Sequence, residues 1–205
     1  MQDTPQALLF DLGGVVVDID FERAFAHWAP HSARDPAAMR QWLQFDEPYE
    51  RHETGHLAPD DYFRHLRTQL ALGCNEATLR EGWNTILVGG IAETLGMIDQ
   101  VRGRVPCYAI SNTNPVHLAH MRSAFPGMLE RFEHVFASHD IGHRKPHPES
   151  FGHVLRAIGV AAPRALFFDD LAVNVEAARK CGLQAVLVRG PGDVRQALAE
   201  HGLLA

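Results

Sequence analysis

Short apolar runs alternate along this 205-residue chain with segments whose hydrophobic positions recur at helical spacing. Ala7 to Leu12, Val105 to Ile110, His134 to Ala137, Ala165 to Phe168 and Gln184 to Val188 have the length of buried strands. Between them, Phe151, Val154, Leu155 and Ile158 repeat at i, i+3, i+4 and i+7. That spacing predicts a helix over Pro148 to Ile158, with a proline in its first turn and Gly159 as its stop. Asn114-Pro115 reads as the cap and first turn of a helix through Ala124, and Gly182 as the stop of one from about Ala172. Strands alternating with helices predict an α/β fold, a mostly parallel sheet covered by helices.

The interval from about Ile19 to Leu87 breaks this rhythm. Its aromatic and leucine positions (Phe21, Phe25, Trp28; Phe63, Leu66, Leu70) keep helical spacing, and no β-branched run interrupts them. Gly55, Pro59 and Gly73 punctuate it, and Asn75 is placed to cap a last helix carrying Leu79, Trp83 and Ile86. The pattern predicts a small all-helical insertion after the first strand, with residues 1–18 and 88–205 forming the core and 19–87 the insertion.

Composition narrows the function classes. With 46% hydrophobic and 21% charged residues the chain is ordinary for a globular protein. A formal charge of -6 disfavours unspecific nucleic-acid binding, which needs clustered Lys and Arg. Cys74, Cys107 and Cys181 are far apart and odd in number, so neither a disulfide framework nor a Cys-x-x-Cys site is expected, and a reducing cytoplasm fits. Met1 to Gln6 carry no basic leader, and no apolar run approaches the roughly 20 residues that span a bilayer. A cytoplasmic monomer or homodimer acting on a small molecule is the expectation.

In an open parallel sheet, ligands bind beyond the carboxyl ends of the strands. The residues there are Asp11, Ser111, Lys145 a little after the third strand, and the pair Asp169-Asp170. Each could be no more than a turn, loop or helix-start residue. Together they are what phosphoryl transfer through a covalent intermediate requires. Asp11 can attack phosphorus, and Asp11 and Asp170 can share a Mg²⁺ with the Gly13 carbonyl. The backbone of the Leu12-Gly13 turn can approach the phosphate, Lys145 supplies positive charge, and Ser111 with the Asn112 amide can bond phosphate oxygens. Asp169 suits orientation of Lys145 or of a metal-bound water.

These residues stand in four motifs: Phe10-Asp11-Leu12-Gly13-Gly14-Val15, Ile110-Ser111-Asn112-Thr113, Arg144-Lys145-Pro146, and Phe167-Phe168-Asp169-Asp170 followed by Asn174. In this order they resemble the haloacid dehalogenase superfamily over nearly the whole chain. The resemblance implies a Rossmann-like core, a helical cap of the C1 type inserted after the first motif, Asp11 as nucleophile, and Mg²⁺ as cofactor. The run from Phe10 to Phe21 is most similar to the bacterial α-D-glucose-1-phosphate phosphatase group, which implies a sugar phosphate as substrate.

Gly13 departs from the pattern, because most phosphatases of the superfamily carry a second Asp there as general acid and base. One explanation is a dehalogenase, whose halide leaves unprotonated, although the Asp169-Asp170 pair argues for metal and phosphate. Another is a good leaving group, such as an anomeric oxygen, with Asp18 or Asp20 touching substrate hydroxyls or assisting the proton. A third is a phosphometabolite-binding protein that has lost catalysis. Of the remaining features, Trp28, Trp42 and Trp83 are expected to build the cap core and His139, His143 and His147 to lie at the surface. Glu47, Tyr49, Glu50 and Arg51 are candidates for substrate recognition from the cap.

Overall fold

The computed structural model describes residues 4–35 and 39–204, so residues 1–3, on which part of the leader reading rests, lie outside it. The first half of the chain runs β1 (Ala7–Phe10), β2 (Val17–Ile19), α1 (Phe21–Trp28), α2 (Met39–Trp42), α3 (Glu47–Glu53), α4 (Pro59–Gln69), α5 (Glu76–Asn84) and β3 (Leu87–Gly90). It continues as α6 (Ala92–Val101), β4 (Cys107–Ser111), α7 (Pro115–Ala124), β5 (His134–Ala137) and α8 (Ser138–Ile141). The last part is α9 (Pro148–Ile158), β6 (Ala165–Asp169), α10 (Ala172–Lys180), β7 (Gln184–Leu187) and α11 (Pro191–Glu200).

Five strands form one parallel sheet in the order β5-β4-β1-β6-β7. The central strands β1 and β6 are buried along their whole length, which is why they read as unbroken apolar runs rather than as alternating ones. Phe10 and Phe168 are register partners and stack with centroids 4.8 Å apart on one face. Leu9 and Phe167 turn to the other face, where Phe151 and Val154 of α9 cover them. Local chemistry sets the helix ends: Asn114 accepts the His117 N–H at 3.0 Å, and Gly159 closes α9 in the left-handed conformation at φ 67°. The first of the two central neighbours, β4, starts at Cys107 instead of Val105; Pro106 has no N–H to give to a ladder.

Helices α1 to α5 surround an apolar cluster of their own, centred on Trp28, Phe63, Leu66, Leu70, Leu79 and Trp83. Asn75 caps α5 by accepting the Thr78 N–H at 2.9 Å. Where the chain leaves and rejoins the core, β2 and β3 pair antiparallel at the borders of the insertion, with Val17 opposite Gly90 and Asp18 opposite Gly89. These strands are too short and, in β3, too glycine-rich to show a β-branched signature. One expectation about this segment needs correction. Trp42 is not a core residue but 43% exposed, its ring covered by the Arg34 guanidinium at 3.8 Å. Among the described residues, no helix is long and apolar enough to cross a membrane.

Candidate active site

The sheet brings the strand-end residues together. Phe168 and Phe10 lie in register, and the Asp11 N–H donates to the Phe168 carbonyl at 2.8 Å, so Asp11 and Asp169 leave adjacent strands side by side. Between them sits the Lys145 ammonium, 2.9 Å from Asp11 Oδ1 and 2.6 Å from Asp169 Oδ2. Asp169 is held in turn by the Leu171 N–H at 2.8 Å and by the Asn174 amide at 3.0 and 3.1 Å. Every polar direction of Asp169 therefore serves to fix Lys145 and the start of α10. Asn112 does similar work: its side-chain amide donates to the Lys145 carbonyl and accepts the Lys145 N–H, both at 2.8 Å. That side chain is occupied as a clamp on Lys145, which leaves only its backbone amide for a ligand. Ser111, at the end of β4, is 5% exposed and lines a cavity together with Leu12 and Gly13 of the Asp11 turn.

Three carboxylates face one ammonium here, and one carboxylate oxygen from each of Asp11, Asp169 and Asp170 lies within 4.8 Å of the other two. Burial pushes the Asp11 carboxyl up to about 7; Lys145 pulls it down, while the charges of Asp169 and Asp170 push it further up. Asp170 is raised as well, by burial first and then by Asp169. For Lys145, burial alone would lower the ammonium, but Asp11 and Asp169 outweigh it and keep it charged. A site with this surplus of negative oxygen donors suits a hard divalent cation, which would restore the ionised, nucleophilic form of Asp11. Gly14 contributes space: it adopts φ +73°, and a Cβ there would come within 2.5 Å of Asp170 Oδ2. The turn can pack on the Asp170 carboxylate only because this residue is glycine.

The Asp11 turn is tightly wound. Leu12 N–H donates to Asp11 Oδ1 at 2.7 Å, and the Leu12 carbonyl accepts the N–H groups of Val16 at 2.8 Å and Val17 at 2.7 Å. Leu12 and Gly13 form the floor of a cavity of about 100 Å³ whose far wall is the helical segment: Tyr49, Glu53, Trp83 and Ile86. Of the four cap residues singled out in the sequence, only Tyr49 reaches this cavity. Glu47, Glu50 and Arg51 line a neighbouring cleft of about 470 Å³ with Arg144 and His147. Asp18 is exposed and is not among the residues lining the cavity; Asp20 is spent capping α1, accepting the Glu22 N–H at 2.9 Å.

Of two charged residues at this junction, Glu53 was not singled out by sequence pattern, and Arg144 stood in the third motif without a role. Arg144 reaches across from the core to Glu50 at 2.8 Å and Glu53 at 3.1 Å, and Glu53 is 3% exposed. The one available signal was that Glu53 follows Tyr49 by four residues, on the same helical face. The histidine expectation also needs correction: His143 and His147 are exposed, but the His139 side chain is 8% exposed and bonds the Thr113 carbonyl at 3.2 Å.

Comparison with known proteins agrees with this geometry. Residues 5–182 match the family of haloacid dehalogenase-like hydrolases. A D-ribitol-5-phosphate phosphatase of Bacteroides thetaiotaomicron is 26% identical over 200 residues, covering 93% of this chain and 95% of that one. A sesquiterpene phosphatase of Aspergillus oryzae is 29% identical over 191 residues, covering 89% of each. In fold, the chain resembles a haloacid dehalogenase-family enzyme of B. thetaiotaomicron solved with magnesium and inorganic phosphate, with TM-score 0.77, 24% identity and coverage of 88% of this chain and 92% of that one. A match over most of the length, on a sheet that carries all four motifs to one edge, makes this chain a hydrolase of the haloacid dehalogenase-like family.

Proposed function

We propose that this chain is a cytoplasmic, Mg²⁺-dependent phosphatase that hydrolyses a small sugar phosphate, such as glucose 1-phosphate, through an aspartyl-phosphate on Asp11. The observation that carries the reading is the buried Lys145 ammonium bridging Asp11 and Asp169 beside Asp170. Asp11 attacks phosphorus with its free carboxylate oxygen, the alcohol departs into the cavity, and water then releases phosphate from the acyl phosphate. Lys145 and Ser111 offset the charge that develops on the phosphoryl oxygens. Asp11, Asp170 and the Gly13 carbonyl would hold Mg²⁺, which when bound neutralises the phosphate and keeps Asp11 ionised.

Residues 19–87 serve in this reading as a cap that closes over the phosphate and excludes water, on a core of 1–18 and 88–205. Tyr49 offers an aromatic ring to a sugar, and Glu53 offers an acceptor for its hydroxyls. The same cavity is also lined by the apolar side chains of Ile19, Phe21, Ile86, Leu87 and Met121, which favours a hydrophobic alcohol as the second reading. A phosphate-release screen of sugar phosphates and one prenyl monophosphate, with Mg²⁺ and with chelator, separates the two. Sugar esters are expected to turn over best and only with Mg²⁺, with Asp11→Asn at least about 10³-fold slower. Full activity of Asp11→Asn overturns the mechanism, and preference for the prenyl ester overturns the sugar.

A further inference from the structure

Gly13 leaves the turn without a proton donor, and the cavity above it holds one carboxylate that the chemistry so far has not used. Glu53 sits at the end of α3 and lines the same cavity as Leu12, Gly13 and Ser111, of whose lining residues it alone is acidic. Its Oε1 accepts the Tyr49 hydroxyl at 2.8 Å. Its Oε2 stands 3.1 Å from Arg144 Nη2 yet accepts no hydrogen bond, although it is shut off from solvent. On the same wall the Trp83 indole N–H is also buried and without a partner. Leaving buried polar atoms unsatisfied is costly, because they have given up water without gaining a partner. An acceptor and a donor without hydrogen-bond partners, on two residues that line one cavity, suit a hydroxylated ligand.

We propose that Glu53 is the general acid and base of this hydrolase, supplying from the helical segment the proton transfer that Gly13 cannot. The proposal rests on the phosphatase reading above. In the first step the bond from Asp11 Oδ to phosphorus forms as the bond from phosphorus to the leaving oxygen breaks, and the Glu53 proton passes to that oxygen. In the second step the Glu53 carboxylate takes a proton from the attacking water, whose oxygen bonds phosphorus as the Asp11 carboxylate departs. Glu53 ends protonated, ready for the next cycle, and no other reactant is needed.

The surroundings of Glu53 suit both roles. Burial, the strongest influence, raises its carboxyl above the ordinary range; Arg144, the Tyr49 hydroxyl and the more distant Lys145 act the other way, and Glu50 adds to the rise. With opposing influences of this kind, the group can donate in one step and accept in the next. Arg144 comes from the core and Glu53 from the cap, so closure itself sets the position of the acid.

The test is Glu53→Gln, assayed with Mg²⁺ on a sugar phosphate and on p-nitrophenyl phosphate, whose phenolate leaves without a proton. Sugar phosphate turnover is expected to fall about 10²- to 10⁴-fold with KM little changed. With the aryl ester, a rapid burst of one nitrophenolate per site should precede a slow steady state, because only the second step lacks its base; acid quenching should then trap phosphoenzyme. Placing an acid back in the turn is the second arm. A Cβ at Gly13 would lie 3.4 Å from Ile19 Cδ1, an ordinary contact, so Gly13→Asp should be accommodated and should restore sugar phosphate turnover in the Glu53→Gln background.

Wild-type turnover by Glu53→Gln overturns the proposal. So does an equal loss on both esters with no burst and no rescue by Gly13→Asp, which is how a merely structural residue would behave. Failure of the phosphatase reading has a different signature: no phosphate release by the parent, or full activity of Asp11→Asn.

Discussion

Lys145 carries its charge with 1% of its surface exposed, and it does so only because two carboxylates lie within hydrogen-bond distance. Removing one partner of a buried charge cluster typically costs about 3 to 5 kcal/mol, since the remaining charges stay desolvated. Lys145→Met is therefore expected to abolish turnover and to lower stability by about 3 kcal/mol in urea unfolding at pH 8. At pH 5 the deficit should shrink, because Asp11, raised to about 7 by burial, can then neutralise by taking up a proton. An equal deficit at both pH values would show that lost packing rather than charge is responsible. This residue was legible in the sequence because it follows a strand, as do Asp11, Ser111, Asp169 and Asp170, and strand ends can be located from apolar runs alone. Glu53 was not. Its significance comes from Arg144, whose guanidinium also bonds Glu50, 94 positions earlier in the chain, and no periodicity reports a contact of that range. The clamp from Asn112 to the Lys145 backbone escaped notice for the same reason.

At the level of elements, the helices whose ends carry their own chemistry were readable: α7 begins at Pro115 behind its Asn114 cap, and α9 begins at Pro148 and stops at Gly159. Helix α6 begins with neither a side-chain cap nor a proline, and strands β2 and β3 are fixed only by pairing with each other. Those three elements carry little local signal, and their boundaries come from tertiary structure. The inner packing of the helical segment is equally tertiary. Trp28 and Trp83 lie nearly parallel at 6.4 Å, and the Trp28 indole donates to the Leu79 carbonyl at 3.2 Å. For the indole to reach that carbonyl it must pass over Gly82, where a Cβ would overlap its ring nitrogen. Intrinsic propensity favours alanine over glycine inside a helix by about 1 kcal/mol. Steric overlap in a packed core costs about 1 to 3 kcal/mol, so it should win. Gly82→Ala is expected to lower Tm by several degrees and to slow turnover, because Trp83 also forms the cavity wall. A raised Tm would show that Trp28 moves aside freely.

For the whole molecule, the decisive contact is between the helical segment and the sheet-bearing core, and a histidine bridges it. His117 of α7 stacks on Trp83 of α5 at 4.9 Å, and its Nε2 meets the Trp83 carbonyl at 3.0 Å. Burial lowers His117 from its ordinary value to about 4, with the bond to Trp83 opposing the shift only in part. His52, stacked on Tyr62 inside the helical segment, is lowered to about 4 by burial too, against its bond to Leu57. A depressed histidine is neutral in the folded protein while the unfolded chain takes up a proton below about 6.5. Each therefore contributes stability that is present above pH 6.5 and is lost as the pH falls through about 4, at up to about 1.4 kcal/mol per pH unit. Asp11, raised to about 7, has the opposite slope across much of the same window, so a single acid-unfolding curve mixes the two. Comparison with His117→Gln isolates the histidine, because glutamine can still donate to the Trp83 carbonyl but cannot charge. Between pH 6.5 and 4 the parent is expected to lose stability faster than the variant, by about 1.4 kcal/mol per pH unit at most. Parallel curves would mean that His117 takes up its proton without leaving the Trp83 carbonyl, and that the junction between the helical segment and the core tolerates a buried charge.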